Sequence, residues 1–258
     1  MKIAVLSDLH GEFHGILPEI KDQADVIILA GDIVVGWSYA KSQHLIKTFC
    51  DKHFDSKILW VFGNHEYYNC PEMEILVPAW KEWAKESTTN LTILDNESLC
   101  IEDVVFHGST LWTGFNAKGE AFKAIGMLEA ERNIGDFYKI GLEDGTYMTA
   151  KHMEKLHKES LEFLRKALDE NRLKTNIVIT HFPPLLECKH PHIPSGLLDC
   201  YFNNDLLDMV YEFPIHSWVS GHTHYSHDFI LCGTRFTSNQ LGYPREHTDF
   251  NSSVILEV

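Results

Sequence analysis

Three short apolar runs, at residues 2–6, 26–30 (Val-Ile-Ile-Leu-Ala) and 58–62 (Ile-Leu-Trp-Val-Phe), limit what this chain can fold into. Each is continuous rather than alternating, the pattern of a strand buried on both faces. Between them, stretches at 12–21 and 38–53 read as helices of a length suited to parallel crossovers. The first third is therefore expected to be α/β, with parallel strands and connecting helices. In open sheets of this kind the loops just past the strands' carboxyl ends converge and build sites. Asp8 and His10, then Asp32, then Asn64 and His65 fall at those three positions.

Further along, 91–94, 98–102 and 104–108 read as short strands, with Asp95-Asn96 and Glu102-Asp103 as turns. Residues 118–134 and 150–170 read as helices, the latter with Met153, Leu156, Leu161, Leu164 and Leu168 near one stripe. Buried strands are expected at 176–180, leading into His181, and at 217–220, leading into Gly221-His222. Pro183-Pro184 prevents the first from continuing. The tail offers three more candidates, 226–231, 234–238 and 253–257. No internal repeat or Pro/Ser-rich linker interrupts the 258 residues. The simplest organisation is one domain over 1–258 with a helical insertion around 113–172. Segment 113–150, rich in glycine and carrying Lys118, Lys123, Arg132 and Lys139, is expected to shape substrate choice rather than to do chemistry.

Five motifs supply Asp8, His10, Asp32, Asn64, His181, His222 and His224, with His65 to spare. Seven nitrogen or oxygen donors are too many for one tetrahedral site and suit two metals sharing a bridge. A carboxylate such as Asp32 has two oxygens and can serve two cations at once. Paired metals point to phosphoester hydrolysis, because they hold the attacking and leaving oxygens and lower the pKa of water toward about 7. His65 sits beside a donor without being consumed by one, so it is placed to stabilise charge or to donate a proton. Imidazole, carboxylate and amide donors suit Mn, Fe, Zn, Co or Ni. Taken singly, each motif reads equally well as a helix cap or turn; five in order, each past a strand, do not. Glu66 reads as a supporting carboxylate. Among the other histidines, His44, His53, His152 and His157 are expected on solvated helix faces and His107 and His216 at strand ends. His14, His190, His192 and His247 are loop candidates for the pocket.

The net charge of −15 argues against long nucleic-acid duplexes and anionic membranes as partners. Two divalent ions facing Asp8 and Asp32 leave a local positive surplus, so a small phosphoester remains the expected partner. The run before Ser7-Asp8 is too short for a signal peptide, and no apolar stretch reaches membrane length. Six scattered cysteines without a C-x-x-C pair fit reduced thiols in a cytoplasm. Oligomeric state is open.

The ordered set D-x-H, G-D, G-N-H-E, an isolated His and G-H-x-H resembles the calcineurin-like metallophosphoesterase superfamily, from Ile3 to about His224. The resemblance implies a four-layer αββα sandwich of two mixed β-sheets flanked by helices. It also implies one metal on Asp8, His10, Asp32 and His224 and a second on Asp32, Asn64, His181 and His222, bridged by Asp32. His65 matches the family's non-ligand histidine beside the substrate phosphate, so His65 and Asp32 are the expected catalytic pair. Gly31-Asp32 runs on as Ile33-Val34-Val35-Gly36, without the D-R-G of the protein Ser/Thr phosphatases. The purple acid phosphatase tyrosine context is missing, and the charge balance supplies no basic track for a repair nuclease. What remains is similar to small bacterial and phage metallophosphoesterases, including segments such as Gly135-Asp136-Phe137-Tyr138 and Asn239-Gln240-Leu241-Gly242-Tyr243. Two other functions stay open: a non-catalytic interaction module on the same fold, and a phosphodiesterase or nuclease acting on nucleotides. The eight retained site residues count against the interaction module.

Overall fold

The computed structural model describes residues 1–253 and 255–258. Among the described residues, eleven strands form two mixed sheets. They are β1 Lys2–Leu6, β2 Val26–Ala30, β3 Lys57–Val61, β4 Leu91–Ile93, β5 Glu97–Ile101 and β6 Val104–Ser109. The rest are β7 Thr175–Thr180, β8 Ile215–Val219, β9 His227–Leu231, β10 Thr234–Ser238 and β11 Ile255–Glu257. The first sheet runs β11-β1-β2-β3-β4 and the second β5-β6-β7-β8-β10-β9. Strands β1 to β4 are parallel, as are β6, β7, β8 and β10; β11, β5 and β9 pair antiparallel at the edges. The helices are α1 Gly11–His14, α2 Tyr39–Lys52, α3 Leu76–Ser87, α4 Glu120–Asn133, α5 Asp136–Lys139, α6 Ala150–Glu170, α7 Asp199–Phe202 and α8 Leu207–Glu212.

Alternation along each strand explains why the apolar runs are continuous. Ile3, Val5, Val26, Ile28, Leu59 and Val61 face the second sheet and pack with Val104, Phe106, Ile177, Ile179 and Val219. Their neighbours Leu6, Ile27, Leu29, Ile58 and Trp60 join the other core cluster, which takes in Ile46 and Phe49 of α2 and Trp80 of α3. Both faces of each central strand are thus dry. This is the sandwich of two mixed sheets flanked by helices that the motifs implied. No helix among the described residues is long and apolar enough to cross a membrane.

Most expected elements lie within one or two residues of their observed bounds. Val254, inside the strand expected at 253–257, lies outside the described residues. Three expectations need correction, and one helix was not expected. The helix expected over 12–21 is the single turn α1, ended by Gly15 in the left-handed region (φ 75), whose N–H caps Gly11 O. Pro18 then disfavours helical backbone at Leu17. Helix α3 has no counterpart in the periodicity, although Pro78 fits its first turn and Trp80 is fully buried. His157 is buried on α6 rather than solvated, its Nδ1 donating to Leu111 O at 3.0 Å. His107 likewise lies inside β6, between Ser98 and Asn176.

Candidate metal centre

The loops that follow β1, β2, β3, β7 and β8 bring all eight expected residues together. Five of the seven expected donors have left-handed backbone: Asp8 (φ 52), His10 (43), Asp32 (55), His222 (74) and His224 (50). Asp and His visit that region more readily than most residues but still at a cost, and such strain concentrates where side chains must be aimed. The motif glycines make room for this. A Cβ on Gly63 would collide with the Asp32 carboxylate, and one on Gly221 would lie 2.5 Å from Asp8 Oδ2.

Donor atoms gather in trios within 4.8 Å: Asp8, His10 and His224; Asp32, His181 and His222; and His10, Asp32 and His65. Proton bookkeeping decides what fits between them. His181 Nδ1 faces Ala30 O at 3.0 Å, so it carries the ring's N–H. Its Nε2 then points at Asn64 Oδ1 (3.0 Å), His222 Nδ1 (3.2 Å) and Asp32 Oδ1 (3.4 Å). Asn64 is oriented oxygen-inward because its Nδ2 donates to Asp136 Oδ1 at 2.9 Å. In the other trio, His10 Nδ1 faces Glu12 Oε1 (3.2 Å) and His224 Nδ1 faces Glu246 Oε2 (2.5 Å). Their Nε2 atoms face each other at 3.1 Å, with Asp8 Oδ1 3.5 Å from His224. Nitrogen and oxygen atoms this close need positive charge among them, and a cation would take the place a proton otherwise fills. The donor set therefore fits divalent metals, with carboxylate or carbonyl partners fixing the tautomers from behind.

Without a cation, a proton fills that place. Burial opposes charge on His181, but Asp32 outweighs it and pushes the pKa up to about 10. Burial also opposes ionisation of Asp32, yet His181 and His65 hold it well below its ordinary value. His222 is pushed well down by burial and by His181. For His65, burial is overcome by Asp32 and Glu12, which hold it above the ordinary imidazole value.

Several supporting groups escaped sequence reasoning. Glu12 Oε1 lies 3.2 Å from the Nδ1 atoms of both His10 and His65. Burial works against its ionisation, but the two imidazoles lower its pKa to about 2. His65 Nε2 meets the Tyr243 hydroxyl at 2.9 Å and lies 4.0 Å from Asp32 Oδ2. Asp136 is buried and accepts from Tyr68 (2.8 Å), Tyr201 (2.6 Å) and Asn64. Nothing local in the chain marks Glu246, which acts across the fold on His224, and Glu12, two residues past His10, also reaches His65 on another loop. Glu66 does have the supporting role expected: its carboxylate accepts from the backbone N–H of Asp32 (2.9 Å), Ile33 (2.7 Å), Val34 (3.3 Å) and Gly63 (2.7 Å).

A cavity of about 500 Å³ opens on the donors, lined by Asp32, Asn64, His65 and His222 among others. Of the loop histidines, His190 and His247 line it; His14 instead bonds Gly242 O at 3.0 Å, and His192 is exposed away from it. From segment 113–150, Asn133, Ile134 and Gly135 reach the cavity, whereas its cations do not. Lys118 pairs with Asp199 and Lys123 with Glu154, while Lys139 lies over the Tyr68 ring.

Residues 1–226 match the model of the calcineurin-like phosphoesterase family. An uncharacterized protein of Acanthamoeba polyphaga mimivirus is 31% identical over 255 residues, covering 92% of this chain and 86% of that protein. Among solved structures, phosphopantetheinyl hydrolase from Mycobacterium tuberculosis shares the fold with a TM-score of 0.73. Its identity is 19%, over 95% of this chain and 90% of that one. A putative 5'-nucleotidase from Staphylococcus aureus superposes with a TM-score of 0.51 and 15% identity, over 93% of this chain and 48% of that one. With its motifs in order on a two-sheet sandwich and a family match from Met1 to Ser226, the chain belongs to the calcineurin-like phosphoesterases, a family of phosphoester hydrolases.

Proposed function

We propose that this chain hydrolyses phosphoesters with a dinuclear centre. One divalent cation is held by Asp8, His10, Asp32 and His224, the other by Asp32, Asn64, His181 and His222. The observation that carries this is the convergence of His181 Nε2 on Asn64 Oδ1, His222 Nδ1 and Asp32 Oδ1. Bound there, Mn, Fe, Zn, Co or Ni would act as Lewis acids on phosphate oxygens and supply a water of lowered pKa. The rest of the work belongs to side chains. Asp32 would serve as a ligand to both cations; burial opposes its ionisation, but His181 and His65 hold its pKa well below the ordinary value. Asp136 keeps the Asn64 oxygen turned inward. His65 is steadied at Nδ1 by Glu12, so Nε2 is the atom left to face substrate beside Tyr243. Burial opposes charge on the ring, but Asp32 and Glu12 raise its pKa and so favour the protonated form. As a water oxygen bonds to phosphorus and the phosphorus–oxygen ester bond breaks, His65 would give its proton to the leaving oxygen, so that the alcohol departs neutral. Asp32 and His65 are accordingly the catalytic pair.

The reading takes residues 1–258 as one domain with 113–172 inserted, supported by a cavity that joins residues from Asp32 to His247. Small soluble phosphoesters in a reducing cytoplasm suit the six unpaired cysteines and the charge of −15. The test is to strip the protein of metal and reload it with Mn, Fe, Zn, Co, Ni or Mg in turn. Release of nitrophenol from aryl phosphate mono- and diesters is then followed. Turnover that depends on metal and saturates at two ions per chain is expected; turnover unaffected by stripping would end the proposal.

A further inference from the structure

The cavity beside the donors has an apolar side built by an unusual use of one carboxylate. Tyr68 and Tyr201 both line the cavity, but both hydroxyls are drawn onto Asp136, at 2.8 and 2.6 Å. Their polar ends are thereby committed inside the protein, and the rings, 8% and 1% exposed, back the cavity with carbon. Ile134, Ile193 and Phe202 supply the reachable apolar surface, and Ile193 is 55% exposed, area that an occupant would cover. No lysine or arginine lines the cavity among the described residues. Apart from imidazoles, its charged side chains are the carboxylates of Asp32 and Glu246. The nearby ammonium of Lys139 lies 4.4 Å from the Tyr68 ring centroid and lines a separate cavity of about 320 Å³.

We infer that Ile134, Ile193 and Phe202 form a subsite for an uncharged, apolar leaving group, so that the preferred substrates are phosphoesters of hydrophobic alcohols. This deepens the hydrolase reading and rests on it. A phosphate held at the donors projects its ester chain into the same cavity, where alkyl or aryl carbon meets three apolar side chains. A second phosphate or a carboxylate at that place meets no ammonium or guanidinium and faces Glu246. Desolvating such a group without a partner is unfavourable.

The test uses metal-loaded protein and two series, n-alkylphosphonates from methyl to octyl by calorimetry and the matching n-alkyl phosphates by phosphate release. Affinity should rise by up to about fourfold per added methylene until the wall is filled, as expected for burial of each CH₂. A phosphonate ending in a carboxylate should bind roughly tenfold or more weakly than the alkyl analogue of equal length. Ile193→Ser and Phe202→Ser, both on accessible side chains, should each flatten the slope. A slope near zero, a carboxylated analogue that binds as well, or an unchanged slope in both variants would overturn the subsite. The two readings fail separately. Hydrolysis without chain-length dependence removes the subsite and leaves the hydrolase, whereas a binding slope without hydrolysis does the reverse.

Discussion

Replacing Glu66 by Gln should weaken both the fold and the metal centre, although Glu66 binds no metal in the proposed arrangement. Its Oε2 accepts from the N–H groups of Asp32 and Gly63, and its Oε1 from those of Ile33 and Val34. All four donors are buried on the loops that carry Asp32 and Asn64. A glutamine keeps one oxygen and therefore two of the bonds. Its NH₂ confronts the other two N–H groups, leaving two buried donors without acceptors at about 1–3 kcal/mol each. The expected loss is ~3–4 kcal/mol, a large part of the roughly 5–15 kcal/mol that holds a domain folded. Glu66→Ala strands all four donors and opens a cavity, so it should cost more. Burial and the Asp32 charge push the Glu66 pKa up to about 7, so the measurement belongs near pH 8, where the carboxylate is ionised. Urea unfolding of chelator-treated wild type and variant gives the stability difference directly. Calorimetry with Mn or Zn gives the second reading: loops no longer tied together should hold metal more weakly, by tenfold or more on a ~1.4 kcal/mol loss. A variant within about 0.5 kcal/mol of wild type, the scatter of ordinary surface substitutions, and with unchanged metal affinity would refute the role given to this carboxylate.

Other expectations are simpler. Asp32→Asn should impair both metal positions and His10→Ala mainly one, read as ions bound per chain; equal losses would refute the shared role of Asp32. His65→Ala should leave metal content nearly intact while lowering kcat by about 10²–10⁴-fold, with a smaller deficit for good leaving groups. Loss of metal together with activity would make His65 a ligand. Burial lowers the His157 pKa to about 4, below its ordinary 6.5, so folding excludes a proton that the unfolded chain binds. The stability this group contributes is whole above pH 6.5 and is lost as pH falls toward 4, by up to ~3 kcal/mol. His157→Gln should shrink that slope in urea unfolding between pH 7 and 4.5, and an unchanged slope would exclude His157 as its source.

The parallel β/α rhythm of the first sheet and the positions of Asp8, Asp32 and Asn64 past its strands were legible in the chain. Continuous apolar runs have one stable home, between two covering layers, and their carboxyl ends lead into the site. The donor types at His181, His222 and His224 were equally legible, since each follows a buried strand. The short α1 was not, because its apolar content resembles a helix while Gly15 and Pro18 stop it. His157 was not either, since the periodicity of α6 cannot say how wide a stripe its neighbours cover. What only the tertiary structure decided is which groups act behind the donors. Glu12 reaches His65 across 53 residues and Asp136 reaches Asn64 across 72. Such pairs carry no spacing rule, because hydrogen bonds between distant loops depend on where two sheets set those loops down. Local pattern determines what each loop offers; the packing of the sheets determines which proton goes where.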